Sequence, residues 1–345
     1  MSLSRAEFEA LYRKLQGPVR RAFEKAVQKA RSRAQINALV RAVEAGDIEA
    51  ILLAAGVREG MWSIFTEQVR TAYSDAGFLI MASDLTGGGG GGGPSIDLDF
   101  DINNPRAEQW LRINSSSMIR GDGVTGGLMP QQRAAVQEIL QSGMAKGANP
   151  RTTALDIVGR IGKTGRRQGG VLGLTGPQAK AAVNMASDLE NLDRRYFTRT
   201  LRDRRFDGIV RKSMDIGNPL PQKTRNKIIG RYEDRLLKHR GDTIARTEVL
   251  SSVNAASDEA LHQIVDEGLA PRHAAIRIWR HSFSAKERPG HLRMEDQRRG
   301  LDELFVNPIT GIALPYPGSG PASEIINCRC FIEHEINFFA VERAA

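Results

Sequence analysis

Seven consecutive glycines, Gly87 to Gly93, followed directly by Pro94, fit neither a helix interior nor a central strand. Glycine loses more backbone entropy on ordering than any other residue, and Pro94 has no N–H to offer a ladder or an anion. A phosphate-cradling loop fits poorly for that reason, and because no Gly-Lys-Ser/Thr follows the run. The run reads as a flexible tether. It divides the 345 residues into an amino-terminal module over 1–85, a linker over 86–94 and a longer remainder. At about 100–200 residues per domain, such a chain holds two or three units, each able to bury a core.

Before the tether the periodicity is helical. Phe8, Leu11, Leu15, Val19, Phe23 and Val27 recur at helical spacing, with Pro18 predicting a kink; Ile36, Leu39, Val40 and Val43 continue the pattern to a turn at Gly46-Asp47. Ile48, Ile51 and Leu52 predict a short helix, and Met61, Ile64, Phe65, Val69 and Tyr73 another. After the tether, Ile96, Leu98, Phe100 and Ile102 alternate with Ser95, Asp97, Asp99 and Asp101, which predicts a half-buried strand. Asp97, Asp99, Asp101 and Glu108 also fall at calcium-loop spacing, but Ile102 stands where that loop's sharp turn requires Gly.

From Pro105 to about Gly268 the pattern is helical again. Helices are expected over 130–144, over 153–161 with Thr152 or Thr153 as cap, over 177–192 with Thr175 or Gly176 as cap, and over 233–237 and 243–265. After Gly268 the character changes: Ile276 to His281 alternates like a strand, Asn307 to Pro317 is turn-rich, and Cys328 to Glu333 can form another strand. The fold class expected is therefore α+β and predominantly α-helical: a helical amino-terminal module, a mainly helical body over 95–240, a small loop-rich α+β unit over 241–335 and a tail over 336–345.

No apolar run approaches the roughly 18–20 residues that a membrane span needs, and residues 1–7 show no apolar export core. With 2 cysteines the chain has no disulfide framework, so a reducing compartment is the default. Lys and Arg number 49 against 40 Asp and Glu, a formal charge of +9. Residues 193–240 contain 15 Lys+Arg and 6 Asp+Glu, so this segment carries the whole excess. Arg194, Arg195, Arg199, Arg202, Arg204, Arg205, Arg211 and Lys212 are expected on one helix, with Tyr196, Phe197, Leu201, Phe206, Ile209 and Val210 as its buried positions. Such a face suits sequence-independent phosphate contact with duplex DNA or contact with an acidic protein, or it is a solvated face paired with acidic neighbours.

The most specific constellation lies near the carboxy terminus. In order along the chain stand Ala245-Arg246-Thr247-Glu248 opening a helix, Trp279, Arg288-Pro289-Gly290-His291, Asp296, Pro317-Gly318 and Asn327-Cys328-Arg329-Cys330. This ordered set resembles the phage Mu F-like minor head protein family, also called phage head morphogenesis proteins. The resemblance covers residues 240–335 well, 105–240 more weakly and 1–93 not at all. Two positions depart from it: Ser284 where Asp is common, and Gln297 after Asp296 where Gly is usual.

The resemblance implies a structural protein of a tailed phage or prophage, placed in the virion at the capsid interior or portal vertex and in the host cytoplasm during assembly. Its partners would be the portal protein, capsid or scaffold proteins and packaged double-stranded DNA, and its role would lie in head morphogenesis, DNA packaging or ejection. Arg246, Thr247, Glu248, Trp279, Arg288, Asp296 and Asn327 would then be structural motif residues, with no catalytic residue. The competing expectation is an enzyme, a nuclease or ADP-ribosyltransferase-like effector on a phage head domain, with Arg246 and Glu248 or Cys328 and His291 at its centre.

The same residues have an independent chemical reading. In a strand, Cys328 and Cys330 project from one face and can converge on one Zn2+ ion with His291 and either His281 or His334, a Cys2His2 site that would clamp a unit with little core of its own. The alternative is that both thiols are small buried groups and His291 hydrogen-bonds near Asn327.

Overall fold

A computed structural model describes residues 3–86, 99–121, 126–281 and 288–337. The architecture is α+β and mostly helical, as the periodicity predicts. The helices are α1 (Arg5–Arg33), α2 (Ile36–Ala45), α3 (Ile48–Ala54), α4 (Ser63–Thr86), α5 (Pro105–Arg120), α6 (Leu128–Ala145), α7 (Pro150–Val158), α8 (Gly176–Glu190), α9 (Asp207–Ile216), α10 (Gln222–Asp266), α11 (Pro289–Leu292) and α12 (Ala322–Ile325). A two-stranded hairpin joins β1 (Arg160–Ile161) to β2 (Arg167–Gln168). The terminal unit holds β3 (Ala275–Arg280), β4 (Arg298–Gly300), β5 (Phe305–Val306), β6 (Ala313–Leu314) and β7 (Phe331–Ile336). There β3 is the centre of an antiparallel sheet of order β4-β3-β7, with Trp279 opposite Ile332 and Arg280 opposite Phe331.

Local chemistry sets the boundaries. Ser4 and Glu7 form a capping box at the start of α1, which continues as one helix past Pro18. Asp47 caps α3, and Thr175 with Gln178 forms the box that opens α8. The third helix of the body starts at Pro150 under the Asn149 cap and not at Thr153, which is buried inside it.

The two segments read at 233–237 and 243–265 are parts of one helix, α10, of 45 residues. Gly241 is the reason that sequence reading breaks there and the structure does not: a Cβ at Gly241 would stand 3.3 Å from Arg20 Cγ and 3.4 Å from the Phe23 ring, so the glycine admits α1 at close range. The terminal strand also differs, beginning at Phe331 rather than Cys328.

The expected strand over 96–102 lies partly outside the described residues. Its described end, from residue 99 on, is not extended ladder: Phe100 is buried against Tyr73 and the open face of Gly77, and the Asp101 backbone exchanges two hydrogen bonds with the Gln263 side chain of α10, 2.8 and 2.9 Å.

Helices α1 and α4 lie along α10, and one hydrophobic core runs from Phe8 through Trp62, Val249 and Trp279 to Ile332. The amino-terminal helices thus share their core with the body, and the glycine run separates them in sequence only. Phe23 sits at the junction, fully buried, stacked on Trp62 at 5.6 Å, edge-on to Phe65 and under the Arg240 guanidinium. Among the described residues no helix is long and apolar enough to cross a membrane.

One shared core has a measurable consequence. Phe23→Ala is expected to cost about 3–5 kcal/mol, and denaturant unfolding monitored at tryptophan and by far-UV dichroism should shift as one transition; a first step confined to the amino-terminal helices would show two separate cores.

Candidate metal centre

The residues of the ordered motif converge on one seam, where α10 meets the terminal unit. Thr247, Ser251, Asn254 and Asp258 recur every three or four positions and so share one face of α10. Each meets the terminal unit through a polar contact. The Asn327 N–H approaches Thr247 Oγ1 at 3.5 Å; Ser251 Oγ donates to the Gly318 carbonyl at 2.9 Å; Asp258 binds the buried Arg277 guanidinium at 2.6 Å. Asn254 donates to the Cys330 carbonyl and accepts from the Ile332 N–H, both at 3.1 Å. Gly318, at φ +90°, is required: a Cβ there would lie 2.9 Å from Ser251 Cα.

Arg246 reaches across the same seam, its Nη1 donating to Asn327 Oδ1 at 3.0 Å, while Asn327 itself holds a φ of +59°. Arg288 caps the start of α11 and donates to the Ile326 carbonyl at 2.7 Å. Asp296, also at positive φ, pairs its N–H with the Trp279 carbonyl at 3.1 Å and its carboxylate with Arg280. Trp279 is fully buried, its ring edge-on to His291 at 5.4 Å and to Phe305 at 5.4 Å.

Glu248 belongs elsewhere. It is buried in α10 and stands in the walls of two cavities, of about 400 and 270 Å³, the first shared with Trp110 and Tyr316, the second with Arg240 and Thr243. Burial pushes its carboxyl up to about 7. Arg246 turns outward to Asn327 and does not pair with it, so the two residues do not share one site.

Behind the seam, His291, Cys328 and Cys330 come together, all buried. The Cys328 Sγ lies 3.4 Å and the Cys330 Sγ 3.5 Å from His291 Nδ1, and the three donor atoms lie within 4.8 Å of one another. The other ring nitrogen, Nε2, meets Glu324 Oε2 at 2.6 Å, and Asn307 Nδ2 holds that carboxylate oxygen from the far side at 3.1 Å. Glu324 is itself buried and acceptor-only when ionised, so Nε2 donates to it and Nδ1 is left facing the two sulfurs, where its lone pair would be available to a bound ion.

Burial opposes ionisation of this imidazole, yet Cys328 and Glu324 raise it above its ordinary value. The Cys328 thiol is held well below the usual thiol range, first by hydrogen bonding from Cys330 and then by His291, against burial. This arrangement can hold a metal ion through one nitrogen and two sulfurs.

Several expectations change here. The cysteines converge although neither is in a strand; they lie in the extended link before β7, with the Cys328 N–H on the Ile325 carbonyl at 3.0 Å. His281 and His334 are not in the group: the His281 ring faces Glu295, and His334 bonds Ser257 Oγ at 3.1 Å, so among the described residues the set is Cys2His. Ser284 lies outside the described residues. Glu324, Asn307, Asn254 and Arg277 were not singled out from sequence; the one signal for Glu324 is a carboxylate four residues before Cys328, at the end of a turn-rich stretch.

The basic segment is also rearranged. It is not one helix: two 3-10 turns, Arg194–Thr198 and Arg204–Phe206, precede α9. Each opens on an Asp-Arg-Arg tripeptide, in which Asp193 or Asp203 caps the turn by accepting from the Arg195 or Arg205 N–H. Tyr196 and Val210 are buried as expected, Phe197, Leu201 and Phe206 half-buried, and Ile209 exposed.

Acids lie within reach of five of the eight named cations. Arg199 binds the buried Asp188 at 2.5 Å, Arg202 binds Asp207 at 3.0 Å, Arg205 binds Asp203 at 2.6 Å, Arg195 binds Asp193, and Arg194 lies 3.9 Å from Asp215. Arg211 lies over the Phe197 ring, and Arg204 and Lys212 are exposed. No family model, curated protein or solved structure matches the chain.

Glu248 gives a pH test. Its carboxyl binds a proton more tightly in the folded chain than at its ordinary value of 4.5, so its share of stability is complete below that value and is lost as pH rises through about 7. Wild-type protein should therefore lose up to about 3 kcal/mol more than Glu248→Gln between pH 4.5 and 8, read from denaturant midpoints; parallel pH profiles would refute the buried, neutral acid.

Proposed function

We propose that the chain is a minor head protein of a tailed phage or prophage, associated with the portal and acting in head morphogenesis, and that its role there is structural. The observation that carries this reading is the convergence of the ordered motif. Residues scattered from Arg246 to Cys330 meet in one seam that fastens the terminal unit to α10, through Arg246 with Asn327, Asn254 with Cys330 and Ser251 with Gly318. Selection for a clamp accounts for their order and identity. An effector built on the same motif would face Arg246 and Glu248 toward a common substrate, whereas here one reaches Asn327 and the other is buried in α10. In this reading the protein works in the virion and during assembly in the host, with portal, capsid or scaffold proteins and packaged duplex DNA as partners.

The same reading gives the metal centre a structural role, with zinc as its ion. Tetrahedral zinc, with bonds of about 2.3 Å to sulfur and about 2.0–2.1 Å to nitrogen, sets sulfur and nitrogen roughly 3.6 Å apart. The distances of 3.4 and 3.5 Å fit that edge. The Glu324–His291 pair is the carboxylate support that orients a metal-binding imidazole. When bound, the ion would supply a cross-link between α11 and the link before β7. His291, Cys328 and Cys330 hold it, and Glu324 fixes the ring.

Two measurements test these statements separately. Mass spectrometry of purified virions or procapsids should find the chain; particles without it would overturn the head-protein reading. Protein purified without chelator should carry about one zinc per chain and lose it, with a lower melting temperature, in His291→Ala; less than about 0.2 zinc per chain would remove the metal while leaving the clamp.

A further inference from the structure

Unpaired positive charge also lies outside the segment that carries the compositional excess, in which Arg204, Arg211 and Lys212 stay exposed. A groove of about 1030 Å³ runs between the exposed face of α1, the β1–β2 hairpin and α10. Seven cationic side chains and two carboxylates line it. Both carboxylates are already engaged, Glu24 by Arg20 at 3.0 Å and Asp234 by the Gly169 N–H at 2.9 Å. Arg21, Lys25 and Lys29 stand exposed at successive four-residue intervals on α1, and Lys163 and Arg166 are exposed on the hairpin opposite. Among the described residues none of these five forms an ion pair.

We propose that this groove binds the phosphate backbone of duplex nucleic acid. Three cations four residues apart on a helix span about 12 Å along its axis, and each strand of a duplex presents one phosphate per about 3.4 Å of axis. The hairpin cations approach from the other side, so a backbone lying in the groove is held on two walls.

The lining argues against the two nearest alternatives. A protein partner is anchored by buried apolar or aromatic groups, and here the apolar lining is Ile161 and the buried Leu237. A single strand is held by aromatic stacking, and no aromatic ring lines the groove. The walls are dominated by cations suited to phosphates, so binding is expected to be independent of sequence. The proposal names a surface for the duplex DNA contact of the head-protein reading without needing that reading: a chain absent from virions that still binds duplex here would sink one and keep the other.

The test is fluorescence anisotropy of a random-sequence 24-base-pair DNA duplex with the full chain, titrated across a salt series. The triple variant Lys25→Ala, Lys29→Ala, Arg166→Ala should lower the slope of log K against log salt by about 2.7 and weaken binding at 100 mM salt on the order of tenfold or more. Removing the same charge through the paired Arg195→Ala, Arg205→Ala and Arg298→Ala should change neither by more than about twofold. Binding that is unchanged in the groove variant, lost instead in Arg204→Ala, Arg211→Ala, Lys212→Ala, absent in wild type at 50 mM salt, or matched by the unpaired strand or by polyglutamate at equal charge would overturn the proposal.

Discussion

The amide of Asn254 does for the terminal strand what a neighbouring strand would do. β7 pairs with β3 along one edge, and its other edge faces a helix, which has no free backbone groups to offer. The Cys330 carbonyl and the Ile332 N–H would be stranded there at the cost of buried polar groups without partners. Asn254 carries a donor and an acceptor on one side chain and satisfies both. Cys330 is thereby fixed relative to α10, and the geometry around His291 follows. The ring is set from the opposite side by Glu324, which Asn307 and Thr310 hold in turn. The site is therefore determined by two hydrogen-bonded frames that meet at the sulfurs, one from the helix and one from the loops.

The same seam explains what was legible in the sequence and what was not. Helices α1 and α8 could be read because their cores are apolar at helical spacing and their caps are written locally, in Ser4 with Glu7 and Thr175 with Gln178, whereas α2 is legible from its apolar spacing alone. The terminal half of α10 is different. The face it turns to the terminal unit is Thr247, Ser251, Asn254 and Asp258, a polar stripe at core spacing, to which apolar periodicity is blind. Arg277 misleads in the same way, since its place in an alternating strand reads as solvent-facing although the side chain is buried against Asp258, the Gly300 carbonyl and the Pro315 carbonyl. The convergence of His291 with the two cysteines could be suspected from their chemistry. Their partner Glu324 could not, because it enters through a turn whose geometry no local pattern specifies.

Charge shows the gap between composition and field. Counting residues puts the whole excess in 193–240, but the structure decides which of those cations face outward, since acids of its own turns and Asp188 of α8 each hold one or more of them. Asp203 receives both Arg205 and Arg235, which hold its carboxyl down at about 2, the Arg205 hydrogen bond first. Arg240, though counted in the same total, is buried, and burial lowers it to about 9 while it donates to the Gly173 carbonyl and Gln131. Such cations are structural cross-links. Arg21, Lys25 and Lys29 contribute nothing unusual to the count, since α1 also contains acids, but helical spacing lines them up on one face where the acid beside them, Glu24, is taken by Arg20. What a polyanion meets is set by which cations lack an intramolecular partner.

The buried centre also bears on whether this chain does chemistry. A thiol, an imidazole and a carboxylate in hydrogen-bonded line can make a nucleophile with its base and orienter. Here the same three groups, Cys328, His291 and Glu324, are between 2 and 3% exposed, and Trp279 closes the ring edge. A nucleophile needs a substrate beside it, and in this conformation all three members are withdrawn from the surface. A metal clamp needs the reverse: donors withdrawn from water, a fixed tautomer and elements worth joining. Cys330 is tied to α10 through Asn254, and Phe331, the next residue, stacks on Phe8 of α1 at 4.6 Å. A cross-link at this point would therefore secure the first helix, the longest helix and the last strand together, and this is where it would join the most elements at once.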